Sequence, residues 1–149
     1  MKTLVFLLTL SLSHTLLASC PDLAGDFIGT CKESFQDSTN NKDSYFEVRI
    51  TQNLCSSMEV LLKSGEYTTL DSYNFNLGLS EVSKTPHLTV YSGGAYSQNG
   101  FSGTVLYSSN SGVVSIYNEY EVTKEGSKEF LMLYQKARGY KMECKLEKV

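Results

Sequence analysis

The sequence predicts an all-β protein: an antiparallel up-and-down meander of eight to ten strands closed into a barrel, with a β-sandwich as the alternative. Three observations carry this. Apolar and polar residues alternate with period two along most of the chain, and no segment repeats at the helical period. Short stretches of Gly, Asn, Ser and Asp punctuate the runs, so consecutive strands pair antiparallel. Ten Tyr and seven Phe against two Pro suit pleated sheet. A meander of this length leaves two unpaired edges unless it closes, which ranks the barrel first.

Residues 1–19 read as an export signal peptide: Lys2, an apolar run over Leu4–Leu12, then Ala18 and Ser19. The run is shorter than the roughly 20 residues that span a bilayer, and no second one follows. Residues 20–149 read as one β-barrel domain, large enough for a core. That part carries all 16 acidic residues and 12 of the 13 basic ones, a net charge of −4. Mild acidity without a basic patch argues against nucleic acid and anionic membranes as partners. Leu17-Ala18-Ser19-Cys20 resembles the bacterial lipobox, whose cysteine is acylated, yet the four cysteines pair off evenly only if Cys20 joins a disulfide. The expectation is a secreted or periplasmic protein. The alternative is an envelope lipoprotein anchored through Cys20, the one case in which a membrane is a partner.

The first strand is expected over Cys20–Lys32, followed by a polar surface loop from Ser34 to Asp43. Tyr45–Gln52 alternates cleanly, with Phe46, Val48 and Ile50 on one face and Glu47, Arg49 and Thr51 on the other. Met58, Val60 and Leu62 share a face of the next strand, which Ser64-Gly65 ends. Glu66–Leu70 and Tyr73–Leu79 read as two short strands, and His87–Tyr91 as another after the break at Lys84-Thr85-Pro86. Ser92–Gly100 reads as a Gly/Ser-rich loop, with Asn99-Gly100 a type I′ hairpin signal. After the strand Gly103–Tyr107, the pattern is strongest. Val114, Ile116, Asn118, Tyr120 and Val122 share one face, Glu129–Gln135 is apolar on both, and Tyr140, Met142, Cys144 and Leu146 alternate with charged residues.

Distance sets the cysteine pairing. A strand from Cys20 to Cys31 spans about 30 Å, whereas disulfide Cα atoms lie within about 7 Å. The strand therefore separates these two cysteines. Cys55 falls in the turn at the starting end, beside Cys20. A last strand antiparallel to the first brings Cys144 beside Cys31. The expected bridges are Cys20–Cys55 and Cys31–Cys144, the second fastening the barrel's seam. The other two connectivities and free thiols are the alternatives. No CxxC spacing exists, and His87 is the one histidine after residue 19, so no metal site or cofactor is expected.

Gly25-Asp26-Phe27 near the start of the first strand, with the long loop after it, resembles the calycin group of lipocalins, fatty-acid-binding proteins and avidins. Those families carry Gly-x-Trp there; this chain has Phe27 in place of Trp. The resemblance implies a ligand cavity. It also implies a basic residue near the last strand packed over the motif aromatic, for which Arg138 is the candidate.

Two functions follow as expectations. The first is a binding protein holding a small apolar ligand against Phe46, Asn118, Tyr120, Met132, Tyr134, Tyr140 and Met142, with Asn118 fixing the ligand's polar end. The second is an interaction protein with an exported protein partner, as bacterial periplasmic lysozyme inhibitors have. Its contacts would come from Tyr91–Phe101 and the Ser34–Asp43 loop. Catalysis is not expected. Glu119 and Glu121 lie on a solvated strand face, and nothing around His87 has a nucleophile-elbow pattern.

Overall fold

A computed structural model describes residues 20–36, 41–75 and 78–149. The expected signal peptide lies outside the described residues, as do residues 37–40 and 76–77. The described residues form ten antiparallel strands: β1 (Gly25–Phe35), β2 (Lys42–Asn53), β3 (Ser57–Ser64), β4 (Tyr67–Asn74), β5 (Ser80–Lys84), β6 (Leu88–Tyr96), β7 (Gly100–Ser109), β8 (Gly112–Glu125), β9 (Lys128–Ala137) and β10 (Tyr140–Lys148). They make one sheet in the order β4-β3-β2-β1-β10-β9-β8-β7-β6-β5, a meander curled into a nearly closed barrel. Inward positions of every long strand meet in a single core.

The seam is not where the cysteine argument put it. β1 and β10 form an ordinary ladder over nine residue pairs, Phe27 opposite Lys148 through Phe35 opposite Tyr140. The unsealed seam lies in mid-chain, where β4 and β5 end the sheet. β4 is met there by β6, and the Ser92 hydroxyl donates to the Ser72 carbonyl across the gap.

Both bridges form as expected. Cys31 and Cys144 are direct cross-strand partners with Cα atoms 4.1 Å apart, and Cys20 and Cys55 lie 5.6 Å apart. The first strand is shorter at its start than expected. Residues 20–24 lead into it without pairing, and Leu23, fully buried, plugs the end of the barrel. Gln52 holds this segment: its carbonyl accepts from the Leu23 N–H at 3.0 Å, and its amide donates to the Pro21 and Leu54 carbonyls.

Three segments differ from expectation. The two strands expected over Glu66–Leu70 and Tyr73–Leu79 are replaced by the single strand β4, because the backbone of Tyr67–Asn74 pairs without a break against β3; Phe75, Gly78 and Leu79 lie outside the strand. Ser92–Tyr96 is the second half of β6, not a loop. Asn99-Gly100 is not a two-residue turn: Gly100 opens β7 opposite Glu121, and any Cβ there would strike the Tyr120 carbonyl. The loop after β1 shrinks, since β1 runs to Phe35 and β2 starts at Lys42.

Candidate functional site

The barrel has two unlike ends. The closed end holds the Leu23 plug and the turns after β2, β4, β6 and β8. Above the plug, Tyr73, Phe101 and Tyr120 pack with ring centroids 4.8–6.3 Å apart, and Phe75 and Tyr96 join from the side. Two glycines make room for these rings. A Cβ on Gly94 would overlap the Phe101 ring, and one on Gly103 would lie 2.5 Å from Phe101 and 2.7 Å from Tyr73. Of the buried polar groups here, the Tyr96 hydroxyl has no hydrogen-bond partner among the described residues, and the others bond one another. Asn118 donates to the Tyr73 hydroxyl at 2.7 Å and accepts from the Gln135 amide at 2.8 Å. Burial pushes the Tyr73 and Tyr120 hydroxyls far above their ordinary range, so both stay neutral.

The opposite end is a cup of about 740 Å³. Its apolar wall comes from Phe35, Phe46, Leu62, Ile116, Ala137 and Met142. Its polar groups follow from strand phase. Ser44 shares the inward face of β2 with Phe46, Asp71 that of β4 with Tyr73, and Gln135 that of β9 with Leu133. The Ser44 hydroxyl is buried, its residue 8 % exposed, and has no hydrogen-bond partner among the described residues. Asp71 is 6 % exposed and accepts one long hydrogen bond, 3.4 Å, from the Tyr107 hydroxyl. Burial raises the Asp71 carboxyl above the usual carboxylate range, although the Tyr107 and Tyr73 hydroxyls work against that shift. Burial first, then the Asp71 charge, pushes Tyr107 up to about 12. At the mouth, the Tyr140 hydroxyl donates to Glu33 at 3.1 Å. Two smaller hollows of about 330 and 470 Å³ lie elsewhere on the barrel, the second at β3–β4 and Val82 of β5.

The seven residues read from the sequence as a ligand site divide three ways. Phe46, Tyr140 and Met142 line the cup. Asn118 and Tyr120 are buried below it, and Asn118 spends its amide on the Tyr73–Gln135 network instead of reaching a ligand. Met132 and Tyr134 are on the outer face: Met132 is 38 % exposed, and Tyr134 lies under the Lys141 ammonium at 5.5 Å. β9 is apolar on both faces, so its composition leaves the phase open. Its neighbours decide it, because Met132 pairs with Glu121 and Lys145, and Leu133 with Tyr120 and Cys144. The signal was present: a two-residue turn at Arg138-Gly139 sets Met132 opposite Lys145.

Sequence reasoning missed Glu33, Lys42, Ser44, Asp71, Tyr107 and Gln135 in the cup lining. For Ser44 the alternation of β2 was enough to place it inside. The basic residue over Phe27 is Lys148, its ammonium 5.8 Å from the ring centroid, while Arg138 sits exposed in the turn at the far end. The expected contact surface at Tyr91–Phe101 is a hairpin whose Ser92, Gly93 and Phe101 are buried. No group of three potential metal ligands occurs among the described residues.

Comparison with protein families, with curated proteins and with solved structures finds no match to this chain.

Proposed function

We propose that this is an exported binding protein of calycin type, which holds one small, partly apolar molecule in the open cup. The observation that carries the reading is the cup itself. It is about 740 Å³ of concave space with an apolar wall and a few inward polar groups, within the range of small-molecule sites. The preformed wall supports it further, since a two-disulfide β-barrel needs little reordering to receive a ligand.

Two disulfides support an oxidising compartment, secreted or periplasmic. The Cys20 sulfur bonded to Cys55 has no valence left for an acyl anchor, which favours the soluble form over the lipoprotein. Intact mass checks this: the native protein should begin at Cys20 and weigh four hydrogens less than its reduced form.

The test of the cup is a titration with Nile red, an uncharged fluorophore. The native protein should give a saturable 1:1 enhancement, and Ala137→Trp, which fills the cup, should abolish it. A native titration that never saturates would count decisively against the reading.

A further inference from the structure

The polar groups of the cup carry the reading further, to the chemical class of its occupant. Three charged side chains appear in the described lining: Glu33, Lys42 and Asp71. Glu33 and Lys42 are register partners on β1 and β2 at the mouth, so their charges offset each other, and Tyr140 already donates to Glu33. Asp71 stands apart on β4, deep in the wall, with the Tyr107 and Tyr73 hydroxyls as its neighbours and no ion pair to a cation among the described residues. Ser44 on β2 lines the same cup, but Asp71 is level with Val60 and Ile50, six residues along β2 from Ser44, so the two do not share one bound group. Asp71 is thus the acceptor that sets the chemistry of the wall around it, and a group that donates hydrogen bonds and carries positive charge complements it. The mouth adds aromatic faces at Phe35, Tyr67 and Tyr140, which favour a cation over an anion.

We infer that the occupant is a small amphiphilic amine, its ammonium head on Asp71 and its apolar body along Phe46, Leu62 and Met142. This rests on the cup being a ligand site. It departs from a carboxylate-headed lipid, whose charge would meet Asp71 and Glu33 as a like charge.

Calorimetric titration with three probes sharing one body tests the inference: 2-(2-naphthyl)ethylamine, 2-(2-naphthyl)ethanol and 2-naphthylacetate. At neutral pH the amine should bind at least tenfold more tightly than the alcohol, the carboxylate most weakly of the three. Asp71→Asn should cost the amine on the order of tenfold in affinity. A far-UV circular dichroism spectrum that matches the native protein's reports that the barrel of the variant still forms, and undiminished amine affinity in that folded variant overturns the assignment. An alcohol or carboxylate that binds as tightly as the amine overturns the amine assignment and leaves the cup reading standing. Failure of all three probes overturns it too, and Nile red then separates a wrong ligand class from a cup that binds nothing.

Discussion

The two ends of this barrel are built by the same strands with the same alternation, yet one is filled and the other hollow. Both carry small inward residues. At the closed end, Gly94 and Gly103 lie against Phe101 and Tyr73, and the rings take up the space the missing side chains leave. At the open end, Ser44, Ser64, Thr69 and Ala137 line the cup, and the rings of Phe35, Phe46, Tyr67 and Tyr140 around them leave the space between unfilled. A small inward residue thus makes room for a ring at one end and leaves a hollow at the other. The polar groups do not divide the same way. Asn118 and Tyr73 bond each other at the closed end, but the Tyr96 hydroxyl there and the Ser44 hydroxyl at the open end both lack a partner among the described residues.

The wall that both ends share is the first place to break this contrast. Cys31–Cys144 closes 113 residues of chain, so replacing both cysteines by alanine should cost about 4–5 kcal/mol in urea unfolding. A much smaller loss would mean that the β1–β10 ladder alone holds the wall. At the closed end, Gly103→Val forces a branched side chain into the Phe101 and Tyr73 rings and should cost about 3 kcal/mol. A neutral result would show slack in that packing. Asn118→Ala removes the short hydrogen bond to the Tyr73 hydroxyl and strands the Gln135 amide, with an expected loss of about 2 kcal/mol. The readout is the same unfolding curve.

Asp71→Asn should act in the opposite direction. Burial raises the Asp71 carboxyl, so the folded protein holds that proton more tightly than the unfolded chain. The contribution of Asp71 to stability is therefore full below the unfolded carboxylate range and is lost as pH rises through the folded value. The variant should be more stable than the native protein at neutral pH, with the gap closing on acidification. The charged neighbours facing the same cup, Glu33 and Lys42, stay in place in both proteins. Urea curves across pH check it, and a less stable variant at neutral pH would show that water reaches the carboxylate freely. The smallest effect belongs to the outer face. Met132→Ala should change stability by no more than about 0.5 kcal/mol, and a loss of core size would contradict the phase of β9.

Much of this was legible in the chain by itself. Clean alternation placed Phe46, Val48 and Ile50 inside β2, and Asn118 and Tyr120 inside β8, because a strand's side-chain period is two whatever surrounds it. Strand length excluded a Cys20–Cys31 bridge, and the expected placement of Cys55 in a turn and of the last strand against the first then gave the pairing that forms. The same reasoning failed where a strand is apolar on both faces. Met132 and Tyr134 look like core residues, and only the neighbours Glu121 and Lys145 turn them outward. It failed again where glycines serve packing instead of turning, as in Ser92–Gly100.

What the sequence determined, then, is the local and the periodic: strands, the faces of the strands with one apolar side, and the exclusion of a bridge within the first strand. The tertiary structure alone decided where the seam falls, which basic residue covers Phe27, and which half of the interior stays empty. Those outcomes depend on which side chains meet across the barrel, at separations of more than a hundred residues, as with Phe27 and Lys148. Whether an inward serine or glycine leaves a void is set by the size of its partner on another strand, and no local pattern encodes that partner.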